Sequence, residues 1–208
     1  MKKYFFRCKE CLMTSLRPRI TFNKNGICNA CENTKVYLNI NWLNQYGKLK
    51  KIAQQIKKTS KNQKYNCIVP VGGGKDSSYV AWKVKHELGL KPLCVFCEPP
   101  LFTKVGKQNL ENFKKSGFDL ITLKFTDHFK KFDKIMFQNL GLPQHSWLTS
   151  ITVFPIKIAL KYNCKYIFEG EEGESLYGGS NKNFLKEKVV VSNNIKNYIE
   201  NNDVRKFY

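Results

Sequence analysis

Arginine is scarce in this chain, with four residues against 32 lysines, although the formal net charge is +20. Arginine is the side chain that most often reads bases and pairs with phosphates in nucleic-acid complexes. The 20 asparagines that accompany the lysines are typical of A/T-rich codon usage, which spreads charge over a surface without making a site. The charge is compatible with RNA binding but does not argue for it, so we expect nucleic acid to be an unlikely partner.

Long apolar segments are also absent. There is no run of 18 apolar residues, and the start of the chain, MKKYFFRCKEC, has no apolar region of the kind found in signal peptides. We therefore expect a soluble, cytoplasmic protein that does not associate with membranes. A chain of 208 residues has room for one α/β domain of about 150 residues and a small metal module.

Four of the eight cysteines have metal-ligand spacing. Cys8 and Cys11 form one Cys-x2-Cys pair, and Cys28 and Cys31 form a second after 16 intervening residues. This spacing is typical of four-cysteine zinc sites, in which the closed coordination is structural. The hairpin-like stretch between the pairs suits a zinc ribbon. Disulfide pairing is the competing interpretation, but nothing in the sequence indicates secretion.

The other cysteines are Cys67, Cys94, Cys97 and Cys164. Cys94 and Cys97 lie in Pro92–Glu98, PLCVFCE, which reads as a strand. Residues three apart in a strand point to opposite faces, which favours buried thiols over metal ligands. The alternative is an iron–sulfur cluster on Cys94, Cys97 and Cys164.

The segment Tyr65–Tyr79, YNCIVPVGGGKDSSY, joins an apolar strand to a helix through three glycines. Glycines at 72–74 allow positive φ and let several N–H groups approach one anion. Ser77 and Ser78 stand at the start of the helix, where free amides and the helix dipole favour phosphate. A plain strand-to-helix turn is the alternative.

The residues around the glycines select among nucleotide-binding loops. A P-loop kinase has GxxxxGK[ST], which Asp76 breaks, and a dinucleotide fingerprint has a third glycine where Ser77 stands. The segment resembles the PP-loop of ATP pyrophosphatases, SGGxDS, at five of six positions, with Gly72 in place of serine. The resemblance implies that ATP is bound and that its α-phosphate is attacked. It implies a phosphate-binding set of Gly72, Gly73, Gly74, Lys75, Asp76, Ser77 and Ser78, with Lys75, Asp76 and Ser77 also catalytic and Asp76 positioning Mg²⁺ or the loop.

The rest of the chain alternates strands with helices. We predict a helix over Trp42–Lys58, another over Ser77–Leu88, strands at Pro92–Glu98, Asp119–Phe125 and Lys165–Glu169, and helices near Val105–Ser116, Asp127–Leu140 and Ser150–Tyr162. This order predicts an α/β fold with a parallel sheet, Rossmann-like, whose ligands bind at the carboxyl ends of the strands. The predicted divisions are a zinc module over 1–40, a helical connector and linker over 41–64, and the PP-loop domain over 65–208.

Acidic residues are concentrated after the last predicted strand, in Phe168–Gly179, FEGEEGESLYGG. Glu169, Glu171, Glu172 and Glu174 are four of only 16 acidic residues in the chain. Because the cluster follows a strand at its carboxyl end, it could bind Mg²⁺ or a polar substrate. A solvated acidic loop is equally compatible with the pattern.

Taken together, these features resemble the N-acetyl sugar amidotransferase family over about residues 4–179. The shared features are the four-cysteine module, the PP-loop after Val-Pro-Val, the stretch Thr103–Gly106 with Asn109-Leu and Gly117-Phe-Asp119, and the Gly-Glu segment that closes on Tyr177-Gly178-Gly179. The resemblance implies ATP-dependent conversion of an N-acetyl group to an acetamidino group on a bacterial surface-glycan sugar, with ammonia from a separate glutaminase. Gly170, Glu171, Tyr177 and Gly178 would line the sugar side, with Glu171 also catalytic.

Two departures from the family are the glycine at position 72 and a chain that stops soon after Gly179, where family members extend further. They leave open a fragment, half of a split protein, or an inactive scaffold that binds nucleotide without turnover. A PP-loop tRNA-thiolating enzyme is a further alternative, which predicts metal on Cys94, Cys97 and Cys164 and salt-sensitive RNA binding.

Overall fold

A computed structural model of the protein describes residues 5–17 and 19–170. The chain forms two compact units, and the boundary between them falls between Gln45 and Tyr46. In chain order the elements are α1 (Asn29–Leu38), α2 (Trp42–Thr59), β1 (Cys67–Pro70), α3 (Lys75–Trp82), a π-helical turn (Lys83–Glu87), β2 (Pro92–Cys97), α4 (Lys104–Lys115), β3 (Leu120–Leu123), α5 (Asp127–Leu140) and α6 (His145–Lys161). No helix in the described ranges has both the length and the apolar character to cross a membrane.

The first unit is built around its cysteines. Isolated antiparallel bridges join Arg7 to Thr14 and Phe22 to Cys28. Cys8, Cys28 and Ala30 are buried and form a small core. The bridges close one short turn around Cys8 and Cys11 and another directly before Cys28, whereas the sequence suggested one hairpin-like stretch between the two cysteine pairs. Helix α1, which the sequence patterns did not predict, begins directly after Cys28.

The second unit contains a parallel sheet in the order β1-β2-β3, which confirms the predicted α/β class. Cys67 pairs with Pro92 at one end of the β1–β2 register, and Pro70 pairs with Val95 at the other. Each connection within the sheet contains a helix, because a chain that continues into a parallel neighbour must return to the starting edge. All the carboxyl ends therefore lie at one edge of the sheet.

Side chains alternate between two buried faces of the sheet. On the first face, Cys67, Val69 and Phe96 pack with residues of α2, α3 and α4. On the second face, Ile68, Leu93 and Val95 pack with residues of α6. Because both faces are covered by helices, the strands are apolar throughout, and β2 is buried along its whole length.

The predicted strand Lys165–Glu169 is wrong as a regular strand but correct in its position. Ile167 makes one parallel bridge to Ile68, on the side of β1 that faces away from β2. Two hydrogen bonds support the bridge, from the Ile68 N–H to the Tyr166 carbonyl and from the Phe168 N–H to the Ile68 carbonyl, each 2.9 Å long. Within residues 165–170, the pairing with β1 consists of this single bridge.

Two predicted helix starts also differ from the structure. Helix α3 begins at Lys75, because Gly74 takes the extended conformation of a helix N-cap and the chain turns two residues earlier than expected. Helix α6 begins at His145 instead of Ser150, and Asp133 on α5 accepts a hydrogen bond from the Ser146 N–H in its first turn. That long-range cap has no signal in the local sequence.

A pair of leucine substitutions tests the two-faced core. Leu93 is 2% exposed in β2, whereas Leu160 on α6 is 78% exposed. We expect Leu93→Ala to lower the free energy of unfolding by roughly 2–5 kcal/mol, because it leaves a cavity against α6. Leu160→Ala should change it by less than about 0.5 kcal/mol. Urea unfolding of the two variants measures the difference, and equal effects would contradict this description of the core.

Candidate active site and metal centre

The glycine loop leaves β1 at the carboxyl edge of the sheet. The Val71 N–H still donates to the Val95 carbonyl, at 2.8 Å. The next N–H, that of Gly72, donates to the Ser77 hydroxyl at 3.0 Å, which closes the loop over the first turn of α3. Gly73 lies in the left-handed region with φ of 74°, a conformation that favours glycine. The loop therefore surrounds the start of α3, where unpaired amides favour an anion.

Lys75 and Asp76 form an exposed ion pair at the start of α3. The Lys75 Nζ lies 2.6 Å from one carboxylate oxygen of Asp76 and 2.9 Å from the other. Their side chains are 87% and 69% exposed, so water screens the pair and it contributes little to stability. A phosphate that attracts the lysine and a cation that attracts the aspartate can therefore separate them at little cost.

The first turn of α4 lies beside the glycine loop. A Cβ atom on Gly73 would stand 3.9 Å from the Gly106 carbonyl oxygen. Gly106 itself packs against Phe102, whose ring would lie 2.9 Å from an added Cβ, and its N–H donates to the Thr103 hydroxyl at 3.0 Å. The glycine at 106 thus allows the close approach of α4 to its preceding loop and to the phosphate-binding loop.

The loop also lies at a point where the strand order reverses. From β1 the chain proceeds to β2 and β3, and then returns to the far side of β1 at Ile167. Ligands of open α/β sheets bind at such a reversal, outside the carboxyl ends of the strands. Gly170 follows Ile167 and packs on α3, because a Cβ there would lie 3.0 Å from Val80 and 3.4 Å from the Asp76 carbonyl oxygen. The Gly-Glu segment therefore begins against the phosphate loop.

A groove of about 450 Å³ opens at the carboxyl ends of β2 and β3. It is bounded by the loop after β2, the first turns of α4 and α5, and the residue Phe125 that follows β3. The Glu98 carboxylate accepts a hydrogen bond from the Phe125 N–H at 3.2 Å, which ties the two loops together. Its lining includes two lysines and two phenylalanines: Lys107, Lys130, Phe102 and Phe125. The groove therefore opens at the same edge of the sheet as the glycine loop.

The start of α6 reaches the same edge from the second face of the sheet. The Trp147 indole N–H donates to the carbonyl of Cys97, the last residue of β2, at 3.1 Å. Sequence reasoning missed Trp147 and its neighbours, since the helix was expected to begin at Ser150. The hydrogen bond joins residues 50 positions apart, so no local sequence pattern predicts it.

The structure brings part of the predicted site together. The residues from Gly72 to Ser78 form one loop and helix start, and Gly170 lies against it. Glu171, Tyr177 and Gly178, together with Glu172 and Glu174, lie outside the described residues. Their assignment to the sugar side stays a prediction.

The glycine loop makes a matched test. No atom lies within 4 Å of a Cβ built on Gly72, whereas Gly73 has positive φ. We expect Gly72→Ser to leave the thermal midpoint unchanged, and Gly73→Ala to cost about 1 kcal/mol or more and to weaken ATP binding. Differential scanning fluorimetry and titration calorimetry with ATP measure both. A Gly73→Ala protein that binds ATP like the parent would show that the loop conformation is unimportant.

The first unit gathers four cysteine sulfurs. The Sγ atoms of Cys8, Cys11, Cys28 and Cys31 all lie within 4.8 Å of one another, and they form the one group of potential metal ligands found among the described residues. Cys8 and Cys31 are 3.9 Å apart, and Cys11 and Cys28 are 3.5 Å apart. All four are free thiols, so the competing disulfide interpretation finds no support in the structure.

Backbone N–H groups are directed at the sulfurs. The N–H groups of Cys28 and Glu10 donate to the Cys8 sulfur at 3.2 and 3.4 Å. Burial acts to raise the pKa of Cys8, but the backbone hydrogen bonds outweigh it and lower the pKa to about 6. Burial raises the pKa of Cys31, and the neighbouring cysteines add to this effect. Four converging sulfurs that cannot all ionise alone fit a tetrahedral Zn²⁺, whose charge stabilises the thiolates.

The remaining cysteines do not converge on a metal. Cys94 packs on the first face of the sheet, and Cys164 packs on the second. Burial raises the pKa of Cys94 to about 12 and that of Cys97 to about 11, so both are protonated thiols at neutral pH. The prediction of buried strand cysteines agrees with this geometry, and the cluster alternative does not.

The metal centre predicts one zinc ion per chain. Cys11→Ser removes a ligand and should abolish stoichiometric zinc and lower the thermal midpoint, whereas Cys164→Ser should keep the metal. Plasma mass spectrometry of the purified full chain measures the stoichiometry. Because the thiols must lose their protons to bind zinc, the zinc affinity should fall as the pH falls. Equal zinc in both variants would rule out this ligand set.

Comparison with known proteins gives limited similarity. No family model matches the chain. A protein of Methanocaldococcus jannaschii, described as uncharacterized, is 30% identical over 130 residues, which are 60% of this chain and 45% of that protein. The chain thus spans less than half the length of this relative.

Solved structures match as well, among them two synthetases. An NH3-dependent NAD synthetase from Campylobacter jejuni, in complex with the nitrate ion, has 12% identity and a TM-score of 0.39, over 76% of this chain and 85% of that one. An NMN synthetase from Francisella tularensis has 13% identity and a TM-score of 0.41, over 67% and 74%. Neither likeness identifies a reaction for this chain.

Proposed function

We propose that this chain is an ATP-dependent amidotransferase of the PP-loop class, which converts an N-acetyl group of a bacterial surface-glycan sugar into an acetamidino group. The observation that supports it most is the phosphate loop at the strand-order reversal, closed by the bond from the Gly72 N–H to Ser77 and flanked by Gly170. The choice of an N-acetylated sugar rests on the sequence resemblance, which includes Thr103–Gly106 beside that loop.

The reaction has two steps. The oxygen of the acetamido group attacks the α-phosphorus of ATP, pyrophosphate leaves, and the amide becomes an O-adenylated imidate. Ammonia then adds to the imidate carbon, and AMP departs with the oxygen. An amide oxygen is a poor leaving group until it is phosphorylated, so the loop that binds the phosphates is essential to the first step.

The residues at the start of α3 have distinct tasks. Lys75 turns from Asp76 to the phosphates and balances charge as pyrophosphate forms, while the loop amides orient the chain of phosphates. Asp76 would hold Mg²⁺, which supplies charge neutralisation on the phosphate oxygens when bound. The zinc centre has a structural role, because four thiolates leave no open coordination position.

Ammonia is supplied from outside the chain in this proposal. The described cysteines other than the four of the metal centre are buried thiols with pKa values above the ordinary range, so none is suited to the nucleophilic attack of a glutaminase. A separate glutaminase subunit in the cytoplasm is the expected partner.

The proposal predicts sugar-dependent pyrophosphate release. The assay combines the full chain with ATP, MgCl₂, ammonium chloride and a panel of free and nucleotide-linked N-acetylated sugars, beside bulk tRNA. Release that depends on a sugar supports the proposal. Release with tRNA alone would replace it with base modification, and ATP binding without any release would indicate an inactive scaffold.

A lysine pair provides the control. Lys75→Met should lower sugar-dependent release at least 100-fold, because it removes the cation beside the phosphates. Lys115→Met changes an exposed lysine in the last turn of α4, far from the carboxyl edge, and should leave release unchanged. Equal loss in both variants would show a general effect of charge and not a role in the site.

A further inference from the structure

The turn between α5 and α6 leaves two polar oxygens buried. Asp133 accepts the Ser146 N–H through Oδ1 at 2.7 Å. Its other oxygen, Oδ2, and the Ser146 hydroxyl are buried and have no hydrogen-bond partner within the described ranges. Ser146 is only 6% exposed. Buried polar atoms are nearly always paired, so these two oxygens have unused capacity to accept hydrogen bonds from a water or a small ligand.

The position of this pair relates it to the phosphate loop. Trp147 fixes the start of α6 on the carbonyl of Cys97. Cys97 ends β2, and the phosphate loop follows β1, the strand that pairs with β2. The start of α6 and the phosphate loop therefore lie at the same edge of the sheet, and α6 packs on the opposite face from α3.

The charge at this position favours a cation. One oxygen of Asp133 accepts the Ser146 amide at the positive end of α6, and the second oxygen is available as an acceptor for a cation that donates hydrogen bonds. The His145 ring lies half-buried beside Phe132, with ring centroids 6.0 Å apart. Burial lowers the pKa of His145, and Asp133, the charged neighbour from α5, opposes this only in part. The imidazole is thus neutral at pH 7 and able to accept a proton.

We propose that Asp133 and Ser146 bind ammonium through these two oxygens and that His145 accepts its proton, which makes the start of α6 the ammonia site of the reaction. The inference rests on the proposed function. Ammonium transfers one proton to the imidazole, and the nitrogen lone pair then forms the bond to the imidate carbon. The bond from that carbon to the AMP oxygen breaks, AMP takes the electron pair, and the imidazole returns its proton to water.

The first test separates binding of ammonium from adenylation. Asp133→Asn keeps an oxygen for the Ser146 N–H but removes the charge, so we expect the KM for ammonium chloride to rise at least tenfold with little change in kcat. Ser146→Ala should raise it less. Exchange of labelled pyrophosphate into ATP, which requires no ammonium, should stay at the parent rate and shows that the variants fold. Asp127→Asn, the same change on the exposed first turn of α5, is the matched control.

The second test concerns the proton. His145→Gln should slow product formation about 100-fold at saturating ammonium and remove the loss of rate that protonation of this histidine causes in the parent at acidic pH. His128→Gln, which changes an exposed histidine of α5, should alter neither the rate nor its pH dependence.

The exchange assay distinguishes failure of the proposed function from failure of the ammonia site. If no N-acetylated sugar supports exchange in the parent, the proposed function is wrong. If exchange is normal and Asp133→Asn leaves the ammonium KM unchanged, the oxygens hold only water and the ammonia site is overturned.

Discussion

The burial of β1 on every side is the constraint on which the second unit depends. β2 and Ile167 pair with its two edges, and helices cover its two faces. A strand enclosed in this way has one accessible point, its carboxyl end, where backbone amides can meet solvent. The phosphate loop occupies that point, so its position follows from the packing of the sheet and not from the loop sequence alone.

Two helix starts converge on this edge from opposite faces. α3 approaches with the phosphate loop, and α6 approaches through Trp147. Helix starts present free amides, which favour phosphate in the first case, while Asp133 reverses the local charge in the second. In the proposed reaction, this edge of the sheet would hold an anion at the start of α3 and a cation at the start of α6.

Local sequence patterns were sufficient to predict the elements whose structure depends on neighbouring residues. The glycine loop, the cysteine pairs and most of the β-α alternation could be predicted because turn residues, ligand spacing and apolar periodicity act over a few positions. The patterns failed to predict features that are determined by contacts between residues far apart in the sequence. Helix α6 starts early because Asp133 accepts the Ser146 N–H, and the described part of the segment around Ile167 pairs with β1 by one isolated bridge. The proximity of Gly106 and Gly73 likewise depends on packing that spacing does not encode.

Gly72 has open space around it and φ outside the left-handed region. A glycine codon and a serine codon can differ by one base, so a lineage can gain or lose a hydroxyl at this position in a single mutational step. No compensating change elsewhere in the chain is needed to accommodate it. The residue at this position can therefore change between glycine and serine without a cost to the stability of the fold. The presence of glycine at position 72 by itself shows neither that activity is lost nor that it is retained.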